Sequence, residues 1–238
     1  DGVLERLPPN DRVVVLPNWR IGDSLAHVDL AGPLELEPAA LLAAWTSVGA
    51  AVRRAGIRKL AIVNSHGGQG QLVDLVAQRL RAHHGMLVAR VNTFLLGAPD
   101  GLFPADELRF GFHGGEVETS MMLALRPDLV RMEAARNFPT LARDLAAENE
   151  VLGAEDPAGF AWQAQDLGAS GATAGASYPS VSAGQAQPLA ATAATGNAAA
   201  ADAERGAALL DHLAGRVSTL LDEVAAFPLD RLVERGGQ

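Results

Sequence analysis

Residues 60–69 read LAIVNSHGGQ, an apolar run that ends abruptly in a polar turn containing two glycines. A short β-branched run of this kind predicts a buried strand, and the turn after it predicts the start of a helix. Similar apolar runs at Val13–Leu16 and Met86–Val91 predict two further strands, with amphipathic segments in between. Strands that alternate with helices build a largely parallel sheet covered by helices. The sequence therefore predicts an α/β fold.

Four segments have the apolar periodicity of helices that pack on a core. They lie before Gly56, around Leu72–Leu80, at Glu116–Leu125 and at Leu210–Val224. Glycine at or just beyond the end of a segment is a common helix stop, which fits Gly56. We expect these helices to cover the sheet.

A long stretch of weaker pattern separates the last two helices. Residues 134–203 are rich in Ala, Gly, Ser, Thr and Gln, and we expect them to form a long irregular region. A low-complexity linker is the alternative for residues 168–195. Because the chain shows no internal repeat, we expect one domain over residues 1–238. The sequence begins without methionine, inside an apparent helix end, so we expect it to be N-terminally incomplete.

The composition excludes several classes of function. The chain has 238 residues with 48% hydrophobic and 20% charged residues, enough for a buried core. It has no cysteine, which excludes disulfides, zinc–thiolate sites and cysteine nucleophiles. A net charge of −9 argues against nucleic acid or anionic membrane as the partner. There is no apolar run long enough to span a bilayer and no signal-peptide pattern, so we expect a soluble intracellular protein.

The turn at the end of the second predicted strand is the first candidate site. Ligands of open α/β sheets bind beyond the carboxyl ends of the strands, where His66 lies. His66 offers an imidazole nitrogen for metal binding or proton transfer. Gly67 and Gly68 allow the backbone to approach a substrate closely. A phosphate-binding or purely structural turn is the alternative, although the spacing matches no known phosphate loop and no lysine is near.

The second candidate site is residues 113–120, HGGEVETS, at the start of a predicted helix. Imidazole and carboxylate are the ligands that suit Zn²⁺, Mn²⁺ or Fe²⁺ in a chain without thiolates. His113, Glu116 and Glu118 are the candidate metal ligands here, and one of the three could instead transfer a proton. The alternative is an acid-rich helix start, which is ordinary for electrostatic reasons. That alternative accounts for Glu116 but not for His113.

Other residues give weaker signals. Trp162 lies in a loop, where it would flank a substrate or anchor the loop on the core. His27 follows the first predicted strand, although a loop histidine is more often a surface residue. We interpret the remaining histidines, His83, His84 and His212, as solvated.

Taken together, these motifs resemble the creatininase (creatinine amidohydrolase) family. Residues 64–69, NSHGGQ, resemble its N-G-H-G-G-N turn, and residues 113–123, HGGEVETSMML, resemble its H-A-G-E-x-E-T-S-x-x-L segment. Residues 16–32 are similar to its P-x-x-x-G-x-S-x-E-H-x-x-x-P-G-T stretch, and residues 196–206 to its late G-D-P-x-x-A-T-x-E-K-G segment. The order and spacing agree across most of the chain.

The resemblance implies a three-layer α/β/α sandwich with a mostly parallel sheet, in a cytoplasmic homo-oligomer that is often a hexamer. It implies hydrolysis of a C–N bond in a small or cyclic amide by water activated at a divalent metal centre, with two metals per complete site. His66 and Glu118 would be metal ligands, and His113 would act beside the metals. Ser24 would face the substrate.

The chain also departs from the family pattern. The motif E-x-H-G-x-H-L-P-x-x-x-D, which supplies the family's other metal ligands, does not occur. Since tight binding of a divalent metal takes three or more protein ligands, His66 and Glu118 alone predict weak metal binding. A catalytically inactive subunit that binds a small molecule or a protein is therefore the alternative. A sugar-phosphate-binding domain is the third reading, which the acidic charge disfavours.

Overall fold

The computed structural model describes residues 13–28, 30, 32–155, 158–168 and 193–233. The chain divides into two compact units. The first unit comprises Asp1–Leu25, Gly32–Gly97 and His212–Gln238, and the second comprises Ala26–Ala31 and Ala98–Asp211. A single domain over residues 1–238 stays a prediction.

The first unit is built from two parallel strands and the helices next to them in sequence. Its elements are α1 (Pro38–Arg54), β1 (Lys59–Asn64), α2 (Gly70–His84) and β2 (Leu87–Asn92). Proline in the first turn of α1 is favourable because no helical partner is lost there. Helix α2 ends at Gly85, whose φ of +64° is a left-handed conformation that glycine adopts without strain.

The two strands place their polar ends side by side. They pair in parallel from Lys59 opposite Leu87 to Asn64 opposite Asn92. The last pair is joined by a hydrogen bond of 2.8 Å from Nδ2 of Asn64 to Oδ1 of Asn92. Because both strands end at this edge, the turn carrying His66 lies beyond their carboxyl ends, as the sequence predicts.

Helices α1 and α2 pack against the strands through an apolar core. Val76, Leu80 and Met86 are fully buried at its centre. Trp45 of α1 packs against them. The helices approach closely at Gly49, where a side chain would collide with Leu80.

The prediction of a strand at Val13–Leu16 is wrong. This segment has no strand assignment, and Val14, Val15 and Leu16 are 70%, 54% and 43% exposed. The β-branched side chains favour extended backbone, but a strand also needs a neighbour to pair its N–H and C=O groups. Among the described residues, β1 pairs only with β2, and this segment pairs with neither.

The second unit is made of short elements. In chain order they are α3 (Ala105–Phe110), α4 (Glu116–Leu125), β3 (Asn137–Phe138), α5 (Leu141–Glu148), β4 (Leu152–Gly153), β5 (Ala158–Gly159), α6 (Ala164–Leu167) and β6 (Gly196–Asn197). The last helix, α7 (Ala203–Ala226), begins in the second unit and continues into the first. Strands β3 and β6 pair antiparallel, while β4 and β5 pair in parallel.

The described part of residues 134–203 is more regular than the sequence indicates. Helix α5 lies within it, and its N-cap Thr140 accepts a hydrogen bond of 3.2 Å from the Ala142 amide through the side-chain oxygen. Ala142 joins a buried apolar cluster of this unit. The prediction of irregular structure is therefore wrong for Leu141–Glu148, because capping and apolar burial outweigh a bland composition. Residues 169–192 of the expected linker lie outside the described residues.

The α/β class predicted from the sequence is confirmed, with parallel strands and flanking helices in the positions expected for 38–92. The helix predicted at Glu116–Leu125 is confirmed with the same bounds. Among the helices of the described residues, none is long and apolar enough to cross a membrane.

Candidate functional site

The turn after β1 is organised by the side chain of Asn64, which is 3% exposed. Its Oδ1 accepts hydrogen bonds from the His66 amide at 3.1 Å and from Nε2 of Gln69 at 2.9 Å. Its Nδ2 donates to the His66 carbonyl at 2.8 Å. The buried side-chain amide of Asn64 therefore binds both the backbone N–H and the backbone C=O of His66. This explains why the strand ends in asparagine.

The His66 ring is oriented by the loop that precedes α1. Its Nε2 lies 2.8 Å from the carbonyl oxygen of Asp23. A carbonyl only accepts, so Nε2 is the protonated nitrogen and the lone pair of the neutral ring is on Nδ1. Histidines that bind metals commonly donate their other N–H to a carbonyl in this way. The orientation of the ring is compatible with metal binding through Nδ1, and the role of His66 as a metal ligand stays a prediction.

The two glycines of the turn have different surroundings. A Cβ at Gly68 would lie 3.0 Å from Nε2 of His66, so glycine leaves room for the ring. A Cβ at Gly67 would meet open space. Substrate binding by Gly67 and Gly68 stays a prediction, as does the role of the half-buried Ser24, which follows Asp23 in the loop.

The backbone of His113 is held by Thr195, which is fully buried. Oγ1 of Thr195 accepts hydrogen bonds from the amides of Phe112 at 2.9 Å and His113 at 3.2 Å. The Thr195 amide donates to the His113 carbonyl at 2.8 Å. Two of these hydrogen bonds involve His113 and one involves Phe112, and together they hold the backbone at the start of the HGGE turn (residues 113–116).

In the structure the ring of His113 contacts two other rings, those of Trp162 and His27. The ring centroids of His113 and His27 are 4.6 Å apart with an interplanar angle of 69°, and those of His113 and Trp162 are 5.9 Å apart at 59°. His27, for which a surface position was the alternative, is half-buried and contacts the His113 ring. The sequence signal for it was its place in a motif beyond a predicted strand.

Glu118 has the accessibility that a metal ligand or substrate-binding group needs. It is exposed, and its Oε2 accepts a hydrogen bond of 2.7 Å from the Gly114 amide. It borders a shallow groove of about 350 Å³ whose other lining is mainly apolar, with Arg131 as its cationic member. The groove lies in the same unit as His113, and Glu118 is its acidic member.

Glu116, in contrast, is 3% exposed and forms an ion pair with Arg205. The same guanidinium donates to the Ala200 carbonyl and lies 5.4 Å from the ring of Phe103. A carboxylate occupied in this way fits the structural alternative for Glu116, in which it anchors α7 to the first turn of α4. A catalytic role for Glu116 stays a prediction.

One residue important to the site carries no motif signal. Glu107 of α3 is 6% exposed, and its carboxylate accepts hydrogen bonds from the amides of Glu116 at 2.6 Å and Asn197 at 2.9 Å. Three glycines surround it, and a Cβ on any of them would collide with its side chain: Gly111, Gly115 and Gly196. A buried carboxylate thus ties the start of α4 to β6. The sequence gives no signal for this role of Glu107, because its hydrogen-bond partners are backbone amides and not particular side chains.

The described residues do not fit a divalent metal by themselves. Among the histidine, aspartate and glutamate side chains of the described part of the chain, no three lie together as a possible metal site. His66 belongs to the first unit and Glu118 to the second. Tight binding of zinc in proteins takes three or four ligands, so the two predicted ligands need further donors.

Comparisons with solved structures identify the class of fold. A creatinine amidohydrolase candidate from Bacteroides fragilis NCTC 9343 matches with a TM-score of 0.63 and 21% identity, covering 95% of this chain and 77% of that one. A creatininase matches with a TM-score of 0.59 and 20% identity, over 95% and 80% of the two chains. A Glu→Gln mutant creatininase complexed with creatine gives 0.60 and 20%, over 95% and 81%. The fold is thus creatininase-like, as the sequence predicts.

The family model described as creatininase (creatinine amidohydrolase) matches residues 1–221. This chain therefore belongs to the creatininase family. Solved relatives of this fold include a Zn–Zn form of a mutant creatininase and a Mn form of creatininase. The search of curated proteins gave no match.

Proposed function

We propose that this protein is an amidohydrolase that cleaves the C–N bond of a small or cyclic amide and depends on a divalent metal ion. Membership of the creatininase family supports the reaction class, and the Zn and Mn forms of its structural relatives support the metal. The observation that carries the proposal is the restraint of His113, whose backbone makes two hydrogen bonds to Thr195 and whose ring contacts the rings of His27 and Trp162.

In this reaction water adds to the amide carbonyl, the C–N bond breaks, and the products are a carboxylate and an amine. The departing nitrogen must gain a proton, and a positioned imidazole is suited to supply it. A protonated His113 would also stabilise the negative charge that develops on the carbonyl oxygen. A fixed ring avoids reorganisation during the reaction, which is why the restraint of His113 supports a catalytic role.

We propose His66 and Glu118 as the metal ligands in this chain, on the family resemblance and on the orientation of the His66 ring by Asp23. Because two ligands do not make a tight site, we derive no chemical step through the metal. The roles of Ser24 and Trp162 toward a substrate, a homo-oligomeric assembly such as a hexamer and a cytoplasmic location are further proposals that rest on the resemblance.

The test is hydrolysis of a panel of small and cyclic amides, with release of amine measured for each. We expect His113→Gln to reduce kcat by about 10²-fold or more, as removal of a general acid does. His83→Gln, which changes an exposed histidine, is the matched control and should leave the rate unchanged. Undiminished hydrolysis by folded His113→Gln would contradict the proposed role.

A second candidate is favoured by the lack of a three-donor cluster among the described residues. It is a catalytically inactive member of the family that binds a small molecule or a protein. Removal of metal with a chelator distinguishes the two, because an enzyme of the proposed kind would lose hydrolysis and regain it with Zn²⁺ or Mn²⁺. Binding of a small amide without turnover, unaffected by the chelator, would favour the second candidate.

A further inference from the structure

Hydrogen bonds to Thr195 hold the backbone at Phe112 and His113, and two rotatable side-chain bonds join the His113 ring to that backbone. The staggered rotamers of histidine point the ring in different directions, so a fixed backbone alone does not place its nitrogens. Any restraint on the ring must come from what it touches. In the second unit the His113 ring contacts the rings of His27 and Trp162.

The Trp162 indole, which contacts the His113 ring, is itself held in place by several contacts. Its Nε1 donates a hydrogen bond of 2.8 Å to the Ala154 carbonyl. Its ring also meets Phe112 edge-to-face, with centroids 5.8 Å apart, and packs on the buried cluster of this unit. Since Phe112 directly precedes His113, the indole is fixed to the same turn that it contacts.

His27 makes the second ring contact with His113. It ends a 3-10 turn over Leu25–His27, and the chain after it is folded back by a hydrogen bond of 2.9 Å from the Leu30 amide to the His27 carbonyl. Its ring meets the His113 ring edge-to-face at 4.6 Å, closer than Trp162 does. Edge-to-face contacts of aromatic rings are favourable and directional, so this contact favours the rotation of the His113 ring that the structure shows.

We propose that His27 is a positioning residue, which together with Trp162 holds the His113 imidazole in one orientation. The restraint itself follows from the ring geometry, and its importance for catalysis rests on the proposed function. Loss of the His27 ring would remove the closer of these two ring contacts while the hydrogen bonds of the His113 backbone to Thr195 remain. A misplacement of about 1 Å costs a positioned catalytic group about 10²-fold in rate, so the effect on kcat would be large.

The experiment is nuclear magnetic resonance of the full chain with ¹³C-labelled histidine, in which the His113 ring signal is assigned by its loss in His113→Gln. In the unmodified protein we expect nuclear Overhauser contacts from the His113 ring to the His27 ring and to the Trp162 indole. In His27→Ala the contact with Trp162 should weaken and the His113 signal should move toward that of an unrestrained histidine. His27→Phe keeps a ring and should restore both, while His83→Ala should change neither.

The proposal is overturned if His27→Ala leaves the His113 signal and its contact with Trp162 unchanged. It is also overturned if the unmodified protein shows no contact between the two histidine rings, a result that needs no variant to fold. Where a substrate is hydrolysed, His27→Ala should lower kcat with little change in KM, and His27→Phe should recover most of the rate. Because the resonance measurement needs no turnover, failure of the amidohydrolase proposal would leave it intact.

Discussion

Replacing Glu107 with glutamine tests whether a buried carboxylate holds the start of α4. The two oxygens of Glu107 accept hydrogen bonds from the amides of Glu116 and Asn197. Glutamine keeps the shape but turns one oxygen into an N–H₂ group, which would face a backbone N–H. One hydrogen bond to a charged acceptor is lost, and the glutamine N–H₂ group faces a backbone N–H with no acceptor between them. We expect this to lower the free energy of unfolding by about 2–4 kcal/mol.

In a chain of this length each kcal/mol lowers Tm by about 2–4 °C, so we expect a Tm lower by roughly 10 °C for Glu107→Gln. Thermal unfolding followed by circular dichroism measures this. The matched control is Asp106→Asn at the adjacent position, where the side chain is 69% exposed and pairs with Arg143 at 3.2 Å. The control should change the free energy of unfolding by less than about 0.5 kcal/mol. A Tm of Glu107→Gln equal to that of the unmodified protein would refute the role of the charge.

Three further substitutions test individual contacts. Gly206→Ala would place a Cβ on the backbone carbonyl of Ser120, and we expect a loss of about 3 kcal/mol or more in urea unfolding. Gly49→Ala would collide with the buried side chain of Leu80 and should cost about 1–2 kcal/mol, since alanine's helix propensity offsets part of the overlap. Glu116→Gln should cost about 2 kcal/mol by breaking its ion pair, and an additional fall in hydrolysis per folded molecule would establish a catalytic role.

The apolar periodicity of the sequence correctly predicted the elements that depend on interactions between residues close in sequence. Helix Glu116–Leu125 has an apolar pattern, a glycine before it and a proline after it, and these signals fixed its bounds. The apolar run at 60–63 became a strand because β2 pairs with it. The equally β-branched Val13–Leu16 did not, since strand formation depends on a partner that no local pattern reveals.

The candidate site divides in the same way. His66 and His113 stood out because each lies in a polar, glycine-containing turn at the start of a helix. The contact of His27 with His113 spans 86 positions of sequence, and nothing in either motif encodes it. The sequence gives no signal for the role of Glu107, because Glu107 binds backbone amides, which every residue except proline has.

The most direct test of the proposed function is the metal content of the gently purified full chain, measured by elemental analysis together with its intact mass. We expect the chain to take up Zn²⁺ or Mn²⁺ on dialysis even where weakly bound metal is lost during purification, with uptake reduced in His66→Ala and in Glu118→Gln and retained in His83→Ala. Metal bound equally by all four proteins would contradict the ligand assignment. A metal-free protein that does not take up Zn²⁺ or Mn²⁺ on dialysis would contradict the metal-dependent amidohydrolase itself.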